Sequence, residues 1–117
     1  MALLTTTVVA LIAILHIYIM VLEIFLWDSP RGRKAFGTSP EFSAMTKTLG
    51  ANQGFYNGIL AAGLFWGLYL GEAGSSIVIF FLLAIAGAGI FGAVTSSRKI
   101  LFIQTLPASI ALLLMLV

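Results

Sequence analysis

The sequence contains no cysteine, one histidine and few charged residues, and each of these shortages excludes a class of site. Without cysteine there are no disulfides, thiolate metal sites, iron–sulfur clusters or cysteine nucleophiles. A single histidine excludes a multi-histidine metal site within one chain. The net charge of +2 is too small to indicate a nucleic-acid partner. We therefore expect no metal, no cofactor and no nucleic acid.

Charge is also scarce in proportion to the length. Only 9% of the 117 residues are charged and 61% are hydrophobic, whereas soluble domains carry about 25% charged residues. The mean hydropathy is +1.13. A chain of this length accommodates one domain. The composition therefore predicts an all-α integral membrane protein that forms a single transmembrane domain over residues 1–117.

Four apolar runs are separated by three polar breaks. A hydrocarbon core of about 30 Å requires roughly 20 helical residues, and the runs are close to or above that length. The predicted spans cover residues 3–27, 51–70, 75–94 and 100–117. The sequence thus predicts a bundle of four transmembrane helices whose partner is the lipid bilayer.

Serine and proline mark the ends of the predicted helices. Ser29 and Pro30 end the first span, because proline disfavours helical geometry in the residue before it. Ser39, Pro40 and Glu41 are typical of a helix start, where serine caps and glutamate lies near the positive end of the dipole. Apolar side chains follow at helical spacing: Phe42, Met45 and Leu49. They predict an amphipathic lead-in to the second helix that lies on the membrane surface.

Two further features shape the third and fourth spans. Residues 71–74 are expected to form a tight turn, after which Ser75 or Ser76 caps the third helix. Pro107 lies inside the fourth span, where it removes the backbone hydrogen bond to Ile103. We expect a kink there, which membrane helices tolerate when neighbouring groups satisfy the freed carbonyl.

The basic residues predict the orientation of the chain. All six of them fall in the first and third breaks. They are Arg31, Arg33, Lys34, Lys47, Arg98 and Lys99. Because cytoplasmic loops carry the excess of lysine and arginine, both breaks should face the cytoplasm. We expect a multi-pass protein of the inner (plasma) membrane with both termini outside.

Small residues recur at every fourth position in the second and third spans. The rows are Gly54, Gly58 and Ala62; Gly63, Gly67 and Gly71; and Ala84, Ala88 and Gly92. Such rows let helices approach closely in lipid, so the second helix should be flanked on two sides. The rows do not distinguish a neighbour in the same chain from one in a second copy, which leaves a homodimer as an alternative.

The polar residues inside the predicted spans are the strongest functional signal, because intramembrane ionisable residues are rare and usually functional. His16 and Glu23 lie two turns apart on one face of the first span, and Glu23 is the one carboxylate outside the breaks. Amide and phenol groups of the other spans fall at the same depth, in the cytoplasmic half. They are Asn52, Gln53, Tyr56, Asn57 and Gln104.

We therefore predict a polar pocket that opens to the cytoplasm, with the glycines at 63, 67 and 71 forming a notch above it. The predicted ligand-binding residues are His16, Glu23, Asn52, Gln53, Tyr56, Asn57 and Gln104. In one alternative, Glu23 extends to the interface and pairs with Arg98 or Lys99. In another, His16 and the amides only hold the helices together through hydrogen bonds.

Several stretches carry a resemblance to a known family: residues 30–37, 39–42 and 97–100, Gln104, and above all ANQGFYNGILAAGLFWG at 51–67. They resemble a family of uncharacterised bacterial membrane proteins of about this length, grouped as a domain of unknown function. The resemblance covers nearly the whole chain and implies a four-helix inner-membrane protein, without an activity, cofactor or site residue. A looser analogy links the chain to small multidrug resistance transporters, which have a glutamate in the first helix. Glu23 lies closer to its helix end than that pattern requires.

Three functions follow as hypotheses. The first is binding of a small, partly apolar or amphipathic molecule in the polar pocket, with proton-coupled export as its active form. The second is a membrane enzyme in which His16 and Glu23 perform acid–base chemistry on a lipid-like substrate. No known catalytic or nucleotide-binding motif is present, which favours a non-enzyme. The third is a structural subunit.

Overall fold

The computed structural model describes all 117 residues, Met1–Val117, as helices and turns without a strand. The helices are α1 (Leu3–Ile24), α2 (Pro30–Phe36), α3 (Pro40–Met45), α4 (Lys47–Tyr69), α5 (Ser75–Thr95) and α6 (Leu106–Leu116). A 3₁₀ turn, Gly71–Gly74, precedes α5, and a π-helical turn, Leu101–Thr105, precedes α6. The predicted all-α class is confirmed.

Two stretches are long and apolar enough, by length and composition, to cross a membrane. They are Leu3–Ile24 and Gly71–Thr95, and a further apolar stretch, Leu101–Leu116, is shorter. Helix α4 has 23 residues, but Asn52, Gln53 and Asn57 make its first half more polar than either of those stretches. Two helices thus support membrane association, and the arrangement of four spans stays a prediction.

The chain divides into two compact units, a middle unit of residues 14–61 and a terminal unit of residues 1–13 with 62–117. In the terminal unit, α5 buries one row of side chains: Val78, Leu82, Ile85 and Gly89. Of the predicted row, Gly92 does come close to a neighbour, since a Cβ there would lie 3.0 Å from Ile100 Cδ1, but Ala88 is exposed and the closest approach is at Gly89. Because α5 is apolar on every side, hydrophobic periodicity could not identify its contact face.

Glycines of α4 also face α5 in the terminal unit. A Cβ at Gly63 would collide with the ring of Phe81, and one at Gly67 would come within 2.5 Å of Val78 Cγ2. The predicted notch at these glycines is therefore wrong, because α5 side chains already fill it. The physical reason is that small residues let two helices approach closely, and the side chains of one helix then occupy the space above the glycines of the other.

The effect of Pro107 appears one turn earlier in the chain. Proline has no N–H, and the preceding residues widen into the π-helical turn, in which the Leu106 N–H donates to the Leu101 carbonyl. The Thr105 hydroxyl donates to the Ala86 carbonyl of α5 at 2.9 Å. Cross-helix bonds of this kind stabilise such irregular turns within apolar helices.

The middle unit contains the second half of α1, the short helices α2 and α3, and the start of α4. The predicted helix start at Ser39 is confirmed, since its hydroxyl accepts from the Phe42 N–H at 3.1 Å. The prediction that Ser29 and Pro30 end the first helix is wrong, because α1 already ends at Ile24. Ser29 instead caps α2, where its hydroxyl accepts from the Gly32 N–H at 3.2 Å. A serine cap on α5 was predicted wrongly, because Gly74 occupies that position and no side chain caps the helix.

Candidate functional site

A buried carboxyl and a buried amide meet in the middle unit. The Asn57 Nδ2 of α4 donates to Glu23 Oε1 of α1 at 2.6 Å, and its second contact is the Gln53 backbone carbonyl at 3.4 Å. Glu23 is 6% exposed and Asn57 is 3% exposed. The two ion pairs of the structure join Met1 with Glu72 and Asp28 with Arg33, so neither involves Glu23. The interaction between α1 and α4 at this point is thus a carboxyl–amide hydrogen bond.

Glycine residues bring the two helices together at the pair. A Cβ at Gly54 would lie 2.7 Å from Ile24 Cγ1 and 2.9 Å from Glu23 Cβ. One turn later, a Cβ at Gly58 would lie 2.7 Å from Met20 Sδ. Asn57 occupies the same face of α4 as both glycines, so the close approach carries its amide to the Glu23 carboxyl.

The predicted site residues separate into two groups in the middle unit. His16 is fully buried, and Glu23 and Asn57 are nearly so. Asn52, Gln53 and Tyr56 are exposed on α4, and Tyr56 has an exposed fraction of 56%. The sequence predicts one broad polar face of α4 that includes these residues and Asn57. The contact between α1 and α4, which we call the seam, follows the small residues Gly54 and Gly58 and leaves the neighbouring polar side chains exposed.

Gln104 belongs to the terminal unit, where it is half-buried in the π-helical turn. The alternative in which Glu23 extends to Arg98 or Lys99 is not the arrangement found, since Glu23 is buried and bonded to Asn57. His16 and Glu23 are seven residues apart on α1, about 10 Å along its axis. A proton therefore does not pass directly between them.

Two contributors to this region were absent from the sequence-based site. Met20 supplies the side chain that covers Gly58, and Gly54 sets the distance between the helices. The sequence predicts Gly54 and Gly58 as a packing row, and Asn57 lies on the same helix face, so the sequence does contain the signal for Gly54. Met20 shares the face of His16 and Glu23 in the sequence, but its apolar side chain did not mark it as a site residue.

A cleft of about 260 Å³ lies in the terminal unit, at the ends of α1, α5 and α6. Its polar lining consists of Thr5, Glu72 and Ser75. None of the predicted site residues lines it. The cleft is therefore separate from the Glu23–Asn57 pair.

The chemistry available at the pair is that of one carboxyl group. No group of three His, Cys, Asp or Glu side chains is arranged to hold a metal ion. A buried carboxyl group beside a neutral amide can carry a proton or bind a positively charged group, and the amide N–H orients the oxygen that does so. The amide itself exchanges no proton.

The chain belongs to a family of related proteins. The model of the family described as "Protein of unknown function (DUF1304)" matches residues 10–116. The chain is also 33% identical over 115 residues to "Uncharacterized protein YpaA" of Lactococcus lactis subsp. lactis (strain IL1403), with 97% of each chain covered. No solved structure matches the chain. The resemblance found in the sequence to a family of unknown function is thereby confirmed.

Proposed function

We propose that this member of the DUF1304 family is a membrane protein that binds a small, partly apolar cation at Glu23 in exchange for a proton. The observation that carries the proposal is the buried Glu23 carboxyl, which has an amide partner at 2.6 Å and no counter-ion. An ionisable group inside an apolar helix lowers stability, and such groups are usually retained because function requires them. Export coupled to proton uptake is the active form of the same proposal.

The membrane arrangement belongs to the proposal. Helix α4 is 23 residues long and reaches about 34 Å, enough for a hydrocarbon core of about 30 Å. With α1, α5 and the stretch Leu101–Leu116 it makes four spans. The basic residues of the first and third breaks then face the cytoplasm, and both termini lie outside, in the inner (plasma) membrane.

Each residue at the site has a distinct part in the exchange. The Glu23 carboxyl releases its proton to water and its oxygens accept the positive group of the ligand. Asn57 holds Oε1 in place through its N–H, and Met20 provides a flexible wall over Gly58. Displacement of the Met20 thioether opens apolar space beside the carboxyl for the hydrophobic part of the ligand. His16 lies two turns away from Glu23 on the same face of α1.

Tetraphenylphosphonium, an apolar cation, is the probe that tests this proposal. Because the cation and the proton compete for one carboxyl, the affinity of the purified protein for tetraphenylphosphonium should rise with pH. Glu23→Gln should weaken binding at least about ten-fold, the loss of roughly 1.4 kcal/mol, and remove the pH dependence. Glu41→Gln removes an exposed carboxyl of α3 and should change neither. An affinity that does not depend on pH, or that survives Glu23→Gln, contradicts the proposal.

A structural role for the same pair is the second candidate. The hydrogen bond joins α1 to α4 where Gly54 and Gly58 already bring them into contact, which favours a bond that fixes helix packing. If Glu23→Gln and His16→Ala both melt well below the parent in detergent, the polar groups are structural. Unchanged or raised melting temperatures indicate groups retained for function at the expense of stability.

A further inference from the structure

The segment between α1 and α4 is fixed in place by one tryptophan. Trp27 Nε1 donates to Thr46 Oγ1 at 3.1 Å, and its ring centroid lies 4.9 Å from that of Phe36. A Cβ at Gly50 would lie 2.6 Å from the same indole ring. The hydroxyls of Thr38 and Ser43 share a hydrogen bond of 2.6 Å. Helices α2 and α3 are therefore held against the start of α4.

Most basic residues of this segment and of the start of α4 have no ion-pair partner. Arg33 forms an ion pair with Asp28 at 2.9 Å. Arg31, Lys34 and Lys47 are exposed and form no ion pair. The segment and the start of α4 thus present three unpaired cations to their surroundings, against one exposed carboxylate with no ion-pair partner, Glu41.

Large apolar side chains are exposed in the same part of the chain. Phe42, Met45 and Leu49 have exposed fractions of 52%, 84% and 69%. Phe42 and Met45 lie one turn apart on α3, and Leu49 follows in the first turn of α4, after the break at Thr46; we call these three exposed side chains the apolar row. An apolar row flanked by lysine and arginine is complementary to the headgroup and upper acyl region of a bilayer that contains anionic lipid.

We propose that residues 28–49 form a binding surface for anionic phospholipid. Arg31, Lys34 and Lys47 contact the phosphate groups, and the row of Phe42, Met45 and Leu49 enters the acyl region. A free phosphate anion would contact the cations but not the apolar row, whereas a phospholipid would contact both. This inference depends on the proposed membrane placement, but it is independent of the exchange at Glu23.

Phosphatidylglycerol added to the purified protein in neutral detergent micelles provides the test. Ligands that bind only the folded state raise the unfolding midpoint, and the free energy gained grows as RT ln(1 + [L]/Kd), which yields an apparent Kd. Phosphatidylglycerol should raise the midpoint, and phosphatidylcholine and glycerol 3-phosphate should not. The effect should weaken as salt is added, because salt screens exposed charges. A response to glycerol 3-phosphate equal to that of the lipid would identify a simple anion site and overturn the proposal.

Two charge-matched variants make the test specific. Arg31→Gln with Lys34→Gln should raise the apparent Kd about 5- to 30-fold, as expected for the loss of two surface cations. Arg98→Gln with Lys99→Gln removes the same charge from two other exposed residues and should leave Kd unchanged. Equal loss in both variants would mean that only net charge matters, and would overturn the proposal.

Two further variants separate the contributions. Met45→Gln keeps every cation, yet it should also weaken binding because it removes an apolar contact. Unchanged affinity in Met45→Gln contradicts insertion of the row. Glu23→Gln should leave the response to phosphatidylglycerol intact, so failure of the lipid proposal and failure of the exchange proposal are observed separately.

Discussion

At the scale of single residues, the chain has the carboxyl group of Glu23 at a buried position where an apolar side chain would make the fold more stable. A well-packed apolar pair often replaces a buried polar pair without loss of stability, whereas removal of one partner leaves the other unsatisfied. The hydrogen bond from Asn57 to Glu23 satisfies the carboxyl only in part, because the two oxygens accept up to about four hydrogen bonds. The remaining capacity of the carboxyl is what a ligand or a proton would use.

The pair predicts an asymmetry between single and double substitutions. Asn57→Ala should lower the free energy of unfolding by about 1–3 kcal/mol, because it leaves the Glu23 carboxyl buried without its donor. Glu23→Leu combined with Asn57→Leu should be neutral or stabilising. Equilibrium unfolding in mixed micelles measures both values and their coupling energy.

The control for this cycle is Gln53→Ala on the same helix. Gln53 is exposed, and its contact to Asn57 is made by its backbone carbonyl, which the substitution keeps. Its effect should stay within about 0.5 kcal/mol. If Asn57→Ala is no more destabilising than Gln53→Ala, the hydrogen bond does not stabilise the packing of α1 on α4.

At the scale of elements, the close approach of α1 and α4 depends on Gly54. A Cβ at this position would meet the Ile24 and Glu23 side chains and would lie 3.1 Å from the Met20 backbone carbonyl oxygen, and these atoms cannot all move aside. Gly58 instead faces the flexible end of Met20. The seam is thus rigid at Gly54 and adaptable at Gly58, the side on which a ligand would enter.

Alanine substitutions at matched glycines test this difference. Gly54→Ala should lower the free energy of unfolding by about 1–3 kcal/mol through overpacking. Gly87→Ala is the control, because no atom lies within 4 Å of its added Cβ. It should be neutral or stabilising by up to about 1 kcal/mol, the gain in helix propensity. Thermal unfolding in one detergent compares them, and equal effects would contradict the role of Gly54 in the seam.

Sequence reasoning predicted most of the helices but only part of their contacts. Polar breaks and the serine–proline start at Ser39 located the helices, because local chemistry determines those ends. The sequence does not predict α2, because Ser29 and Pro30 favour the end of one helix as well as the start of another, and here they begin α2. The π-helical turn before Pro107 was expected only as a kink, because neighbouring groups such as the Ala86 carbonyl decide how the freed carbonyls are satisfied.

The ligand-binding residues predicted from the sequence lie in different environments, and their role in binding stays a prediction. Glu23, Asn57 and His16 are buried as expected for polar residues in a seam. Asn52, Gln53 and Tyr56 are exposed, because the glycine row selects a narrow part of the polar face for contact. The sequence alone shows which residues share a polar helix face. The distance between the packed helices decides which of those residues the neighbouring helix covers.

At the scale of the whole molecule, the distribution of charge defines the proposed topology. Nine of the ten Lys, Arg, Asp and Glu residues lie outside the predicted spans, and Glu23 is the exception. Basic residues occur only in the first and third breaks. With four spans, this places those breaks in the cytoplasm and residues 71–74 outside.

The absence of cysteine makes this topology directly measurable with single-cysteine variants. Ala35 of α2 and Ala73 of the 3₁₀ turn are both exposed. In cells whose outer membrane alone has been made permeable, a maleimide that cannot cross the inner membrane should label Ala73→Cys. It should label Ala35→Cys only after the inner membrane is opened. The reverse pattern, or labelling of both from one side, would contradict the four-span topology.

Proton release upon ligand binding tests the central claim most directly. Calorimetry of tetraphenylphosphonium binding in buffers of different ionisation enthalpy counts the protons released per ligand. The exchange at Glu23 predicts a release that approaches one proton at the acid end of the range in which the protein stays folded, and falls as pH rises. Glu23→Gln should release none. Binding without proton release in the parent protein, or an equal release in Glu23→Gln, would contradict the account.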